Sequence, residues 1–126
     1  MNGKYLFDTN AVVYYLQGRP EWVDFIDHTD MTERTASVIT RMELLSYPGI
    51  SPDEEERIHR FLSDLVVISL SEDIESAAIA IRRTARLKLP DAIIAATALR
   101  LKATLLTGDQ NLRNLQWPGF YSATPT

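Results

Sequence analysis

The chain contains no cysteine. That excludes a disulfide-stapled scaffold and a thiolate zinc site, and it fits a reducing compartment such as the cytosol. Histidine is scarce: His28 and His59 are the only two. Both lie in charged helical surroundings away from the motifs below, and they read as ordinary surface residues. Positive charge is in deficit, with 13 Lys and Arg against 17 Asp and Glu, a formal net charge of −4. A non-specific nucleic-acid binder is usually basic, so this balance argues against that class. An enzyme that meets RNA through a local basic face remains open, because a carboxylate metal site is itself negative until ions neutralise it. No apolar run approaches the ~20 residues that a bilayer-spanning helix needs. Met1 leads almost at once into a strand-like segment, with no basic stretch and apolar core ahead of it, so no secretory signal is expected. No internal repeat, low-complexity segment or linker is visible.

What is present is a chain of 126 residues with 45% hydrophobic content. It is expected to form one domain over residues 1–126, large enough to bury a core without staples. Lys4 to Phe7 reads as a short buried strand, and Asn10 to Gln17 as a helix stopped by Gly18. Pro20 suits the first turn of a second helix through Ile26. Thr35 to Ile39 reads as a strand that runs into a helix through Glu43 and Leu45, broken by Tyr47-Pro48-Gly49. Ser51-Pro52-Asp53-Glu54 has the form of a capping box. Leu65 to Ser69 switches to a third strand, and Ser71 opens a long helix ending near Lys88. Pro90 starts another helix, Leu105-Leu106 is a fourth strand, and the tail holds at most one short strand around Phe120-Tyr121. Strands alternating with helices predict a three-layer α/β/α sandwich around a short, mostly parallel sheet.

Four carboxylates fall where this alternation turns from strand to helix: Asp8, Glu43, Asp91 and Asp109. Asp8 and Asp109 follow predicted strands, at the edge where such sheets bind ligands. Each acid has a plain alternative. Asp8 suits a helix cap, Asp91 complements a helix dipole, and Asp109 suits a turn after Gly108. Glu43 sits between Met42 and Leu44 on an apolar helix, far from any cap signal, and its plain alternative is a solvated pair with Arg41. If the four converge, they repel one another and lose hydration unless a hard, oxygen-preferring divalent ion neutralises them.

The segments L-F-D-T-N, M-E-L-L, P-D-A-I-I-A-A-T-A-L and T-G-D-Q-N together resemble the PIN-domain nucleases. Within that family they resemble the VapC-type toxins of toxin–antitoxin pairs. The resemblance runs from Leu6 to Asn111. It implies a PIN-like fold, a metal-dependent endoribonuclease, and Asp8, Glu43, Asp91 and Asp109 as the acids that hold Mg2+ or Mn2+. Thr107, Asn111 and Asn10 match accessory polar positions. The resemblance further implies an RNA substrate, a cognate antitoxin whose C-terminal segment blocks the acidic site, a homodimer, and a cytoplasmic location.

Three other readings compete. A receiver-like phosphoacceptor module would want an Asp at the tip of the third strand, where Ile68-Ser69-Leu70 stands. A haloacid-dehalogenase-like phosphatase needs a second Asp where Asn10 stands. A PIN-type scaffold kept only for RNA binding would be supported by lost acids, and all four are present. Arg82, Arg83, Arg86 and Lys88 form a basic run. They read first as cations at a helix C-terminus and second as a phosphate-contacting rim before Asp91. Tyr14, Tyr15, Trp22 and Phe25 read first as core and second as a groove for a partner segment.

Overall fold

The computed structural model describes residues 3–125. Strands β1 (Lys4–Phe7), β2 (Glu33–Ser37), β3 (Val66–Ile68), β4 (Thr104–Leu106) and β5 (Tyr121–Ala123) form one sheet in the order β3-β2-β1-β4-β5. Every neighbouring pair is parallel. The helices are α1 (Thr9–Leu16), α2 (Pro20–His28), α3 (Val38–Leu45), α4 (Pro52–Ser63), α5 (Glu72–Thr84), α6 (Leu89–Leu101) and α7 (Gln110–Arg113). Parallel strands need crossovers, and the crossovers cover both faces, so the expected PIN-like α/β/α arrangement is present.

Side chains alternate along the central strands and divide the core in two. Leu6 and Leu105 join the α5–α6–α7 side with Ile74, Ile81, Ile94 and Leu112. Tyr5, Phe7 and Leu106 join the α1–α2–α4 side with Val12, Trp22, Ile26 and Leu62. α3 serves both, with Leu44 in the second cluster and Ile39 against the first. Most of these residues are fully buried, each stabilising the fold by about 1.5–3 kcal/mol relative to exposure. α6 is apolar on nearly all sides, with Ala92, Ala95, Ala96 and Ala98 buried. Its alanines allow close packing on α5 and the sheet, which fixes the end that carries Asp91.

Two boundaries and one short helix differ from the sequence expectation. Val38 and Ile39 begin α3 instead of ending β2, because Ser37 caps the helix by accepting the Ile39 N–H at 3.0 Å. A cap of this kind overrides the β preference of branched residues. The long helix stops at Thr84, and Arg86 to Lys88 lie outside any helix or strand. A helix continuous through Pro90 would lose a backbone donor and clash with the carbonyl of residue 86. α7 was not anticipated: four residues carry too little periodicity to be read. The capping box at Ser51 is present, with both reciprocal bonds formed.

Candidate metal centre at the carboxyl edge of the sheet

Asp8 leaves β1 and becomes the N-cap of α1. Its backbone N–H donates to the Leu106 carbonyl at 3.0 Å, which ties the β1 exit to the β4 exit. One carboxylate oxygen accepts the Thr9 N–H at 2.8 Å and the other accepts the Thr107 hydroxyl at 2.6 Å. Asp8 is only 3% exposed. Burial pushes its carboxyl up to about 6 from an ordinary 3.8. The two hydrogen bonds oppose that shift, and the negative charges of Asp91 and Asp109 add to it.

Asp91 sits in the first turn of α6. Its carboxyl is also pushed up, chiefly by burial, then by Asp109 and Glu43, against the pull of Lys88. Asp91 makes no hydrogen bond among the described residues. Asp109 caps α7, accepting the Leu112 N–H at 3.0 Å, while its own N–H donates to the Thr107 hydroxyl at 3.0 Å. Glu43 accepts the Thr9 hydroxyl at 2.6 Å, and the buried Thr40 hydroxyl lies 3.2 Å from that of Thr9. The fold thus places Asp91 within electrostatic reach of Asp8, Asp109 and Glu43, and Asp109 within reach of Asp8.

Reach is not coordination. Carboxylates act on each other's protonation over several ångströms, whereas Mg2+ ligands stand at about 2.0–2.1 Å from a shared centre. Among the described residues, no group of three His, Cys, Asp or Glu side chains is arranged to hold an ion. The hydrogen bonds account for part of the spread, since Thr9, Thr107 and the Leu112 N–H engage oxygens of Asp8, Glu43 and Asp109. The donor set itself is all oxygen and anionic, which suits a hard divalent cation. Ligation at one centre would need side-chain rotation at Glu43, Asp91 or Asp109.

The accessory residues separate. Thr107 is fully buried and joins Asp8 to Asp109. Asn10 accepts the Gly108 N–H at 3.0 Å and so clips the β4 turn to α1. Asn111 is exposed on α7, with no hydrogen bond to the acids among the described residues. It lines a groove against the α5–α6 connection. Thr9 and Thr40 were missed as site residues. Thr9 lay in view within D-T-N, and Thr40 shares a helical face with Glu43 three residues on. The aromatic surface of α1 and α2 has a use here. A Cβ on Gly108 would come within 3.1 Å of Trp22 and 3.2 Å of Tyr14. The turn therefore rests directly on these two rings, which meet at a tilt of 53°, with Arg19 over the Tyr14 face at 4.0 Å. His28 is exposed beside Asp24, away from the acids.

A partly apolar groove of about 380 Å3 opens between α1, α3 and α4 and includes Glu43 of the four acids. Val13, Leu16, Leu44, Tyr47 and Ile50 line it, and Thr9 and Glu43 mark its end. A larger cleft of about 520 Å3 lies elsewhere, toward the amino ends of β2 and β3. No described helix is long and apolar enough to cross a membrane.

A family profile described as PIN domain matches residues 5–118. No curated protein matches the chain. Among solved structures, a chain of a toxin–antitoxin complex from Klebsiella pneumoniae is 32% identical, with a TM-score of 0.79 over 92% of this chain and 94% of that one. Two more distant structures share the fold. VapBC2 from Rickettsia felis, bound to a DNA fragment from its promoter, is 19% identical with a TM-score of 0.78, covering 95% and 97% of the two chains. DNA-bound VapBC from Salmonella typhimurium is 22% identical with a TM-score of 0.75, covering 96% and 97%.

Proposed function

We propose that this chain, which belongs to the PIN-domain family, is a divalent-cation-dependent endoribonuclease that acts in the cytoplasm as the toxin of a toxin–antitoxin pair. The observation that carries the reading is Asp8: a carboxylate 3% exposed, with Asp91 and Asp109 adding to the burial that drives its carboxyl up to about 6. A fold gains nothing in stability from gathering like charges in a dry place. A cation relieves that penalty, and perturbed acids in a cleft at a sheet's carboxyl edge mark functional sites.

Asp8, Glu43, Asp91 and Asp109 would hold the ion, Mg2+ or Mn2+. When bound, such an ion activates water for in-line attack on a phosphodiester and neutralises charge developing on its oxygens. The chain's own part is positioning. Thr107 and the Thr9 N–H fix Asp8, and the Thr9 hydroxyl fixes Glu43. Asp91, unbonded on a rigid buried helix, offers both oxygens. Asn10 and the Tyr14–Trp22 pair hold the turn that presents Asp109. Asp8 is held before any ion arrives, and the side-chain rotation that ligation at one centre needs falls on Glu43, Asp91 or Asp109.

The 32%-identical Klebsiella relative belongs to a toxin–antitoxin complex, which supports an antitoxin partner here. The groove lined by Val13, Leu44 and Tyr47 would seat that partner's segment and bring it to Glu43. The same reading carries a homodimer and a larger assembly with the antitoxin. The test is cleavage of a mixed pool of small structured RNAs, with Mg2+ or Mn2+ against EDTA, by wild type and Asp8→Asn purified identically. Cleavage that needs metal and is confined to the wild type is expected. Equal cleavage by both proteins, or none by a verified folded wild type, overturns the hydrolytic reading.

A further inference from the structure

The cations of this acidic chain are unevenly committed. Arg34, Arg57, Arg60 and Arg100 each bond a carbonyl or carboxylate. Arg82, Arg83, Arg86, Lys88 and Arg113 make no hydrogen bond or ion pair at contact distance among the described residues, and all five are exposed. They fall at the end of α5, in the non-helical connection to α6, and on α7, and Arg41 on α3 is the other exposed cation that makes no such bond among the described residues. Because α5 stops at Thr84, Arg86 and Lys88 are not the last turn of a helix, and complementing a helix dipole does not account for them.

Between these elements runs a groove of about 390 Å3. Arg86, Asn111, Asn114 and Gln116 line it over an apolar floor of Leu87 and Leu115. Asn111 and Gln116 have unbonded amides, and Asn114 engages only its oxygen, accepting from Gln110 at 3.1 Å. Both walls lead to the acids. One continues through Lys88 to Asp91, and the other begins at Asp109, with Asn114 about 8 Å away at ~1.5 Å per residue.

We propose that this groove is the subsite that takes a single-stranded RNA nucleotide next to the scissile phosphate, its base read by the Asn111, Asn114 and Gln116 amides and its phosphates met by Arg86 and Lys88. The inference rests on the ribonuclease reading for the position of the cut, but the binding it describes does not need hydrolysis. Unpaired amides satisfy base edges, which a splayed single strand exposes and a duplex conceals. Exposed guanidinium planes stack on bases as well as meeting phosphates. An acidic protein segment would satisfy the cations but leave the amides and apolar floor without specific partners.

The test is fluorescence anisotropy of labelled single-stranded RNA decamers of varied sequence, with all proteins in an Asp91→Asn background that removes one negative charge from the neighbouring site. Arg86→Ala is expected to weaken binding roughly tenfold at low salt and to flatten the salt dependence by about one ion. Asn114→Ala with Gln116→Ala is expected to reduce discrimination among sequences by about five- to a hundredfold. Arg60→Ala, removing an exposed cation of α4 already paired with Glu56, is the control and should change nothing. Wild-type affinity in both groove variants, or no RNA binding in the Asp91→Asn parent, overturns the proposal. Intact RNA binding with lost binding of a poly-glutamate peptide assigns the groove to an acidic protein segment and also overturns it. Groove-dependent binding without metal-dependent cleavage by wild type sustains the groove and removes the nuclease reading. Cleavage at unchanged positions by the same groove substitutions made with Asp91 retained does the reverse.

Discussion

Replacing Asp8 by Asn should stabilise the metal-free protein at neutral pH. The folded-state carboxyl lies at about 6 against 3.8, so the folded protein holds this proton more tightly than the unfolded chain. The sign follows: stability from this group is greatest in acid, is lost as pH rises from about 4 to about 6, and is fully lost by pH 7. The shift of about two units makes the ionised carboxylate cost about 3 kcal/mol at pH 7, roughly half that at pH 5, and under ~1 kcal/mol at pH 4. Asn removes the charge but keeps an oxygen for the Thr9 N–H, so the α1 cap survives. Its amide replaces the oxygen that accepts from Thr107, which forfeits a hydrogen bond of about 1 kcal/mol. The net expectation in EDTA at pH 7 is a gain of about 1–2 kcal/mol, a rise in Tm of roughly 3–10 °C for a domain of this size. The gain should vanish near pH 4. Saturating Mg2+ or Mn2+ should reverse the order, raising the wild-type Tm by linkage and that of Asp8→Asn less. Thermal melts across pH 4–8, with and without the ion, measure all of this. An Asn variant less stable than wild type at pH 7, or a difference that ignores pH, would refute the argument from buried charge. An equal metal response would remove Asp8 from the site.

Thr107→Val keeps the buried shape but deprives Asp8 and the Asp109 N–H of a partner. It should cost about 2–3 kcal/mol in urea unfolding and move the Asp8 titration above about 6, since that bond now lowers it. Gly108→Ala places a methyl 3.1 Å from Trp22 and 3.2 Å from Tyr14. It should destabilise by about 1–2 kcal/mol and, by displacing Asp109, reduce cleavage of a mapped RNA site by more than that stability loss explains. Ser51→Ala opens the capping box of α4, so it should lower stability by about 1 kcal/mol and leave cleavage per folded molecule unchanged. A loss of activity there would show that α4 reaches the site.

The sheet was legible because parallel strands buried on both faces are short, branched and punctuated: K-Y-L-F before Asp8 and the apolar run before T-G-D have no other reading. The four acids stand out in the sequence by their positions after strands and at helix starts; in the structure Asp8 feels Asp91 and Asp109, and Asp91 feels Asp109 and Glu43, with no three of them arranged around one centre among the described residues. What lay hidden depended on contacts between residues far apart in sequence. Thr9 meets Glu43 across 34 positions and Thr107 meets Asp8 across 99, and no local pattern reports such pairs. The α3 start was misplaced because Ser37 caps more strongly than Val38 and Ile39 resist. The basic run looks like one helix end in the sequence, but the helix stops at Thr84, well before Pro90, and leaves Arg86 and Lys88 exposed on a non-helical connection.

The plain and the chemical readings of these acids turn out to be compatible. Asp8 caps α1 and Asp109 caps α7, as their positions after strands suggested, yet capping engages only part of a carboxylate. Each has two oxygens with about four acceptor directions. Asp8 spends one on each oxygen, and Asp109 spends one on Oδ1. Lone pairs remain to face a cation while the caps hold, so two of the acids can be fixed in place before any ion arrives. The same logic selects the informative substitution. Ala at position 8 would remove cap and charge together and confuse them, whereas Asn keeps the cap and removes the charge together with the Thr107 bond alone. A stability gain in Asp8→Asn therefore measures the cost of the charge buried at this edge, and a metal response that is weaker in Asp8→Asn than in wild type then distinguishes a cation site from a row of well-capped helices.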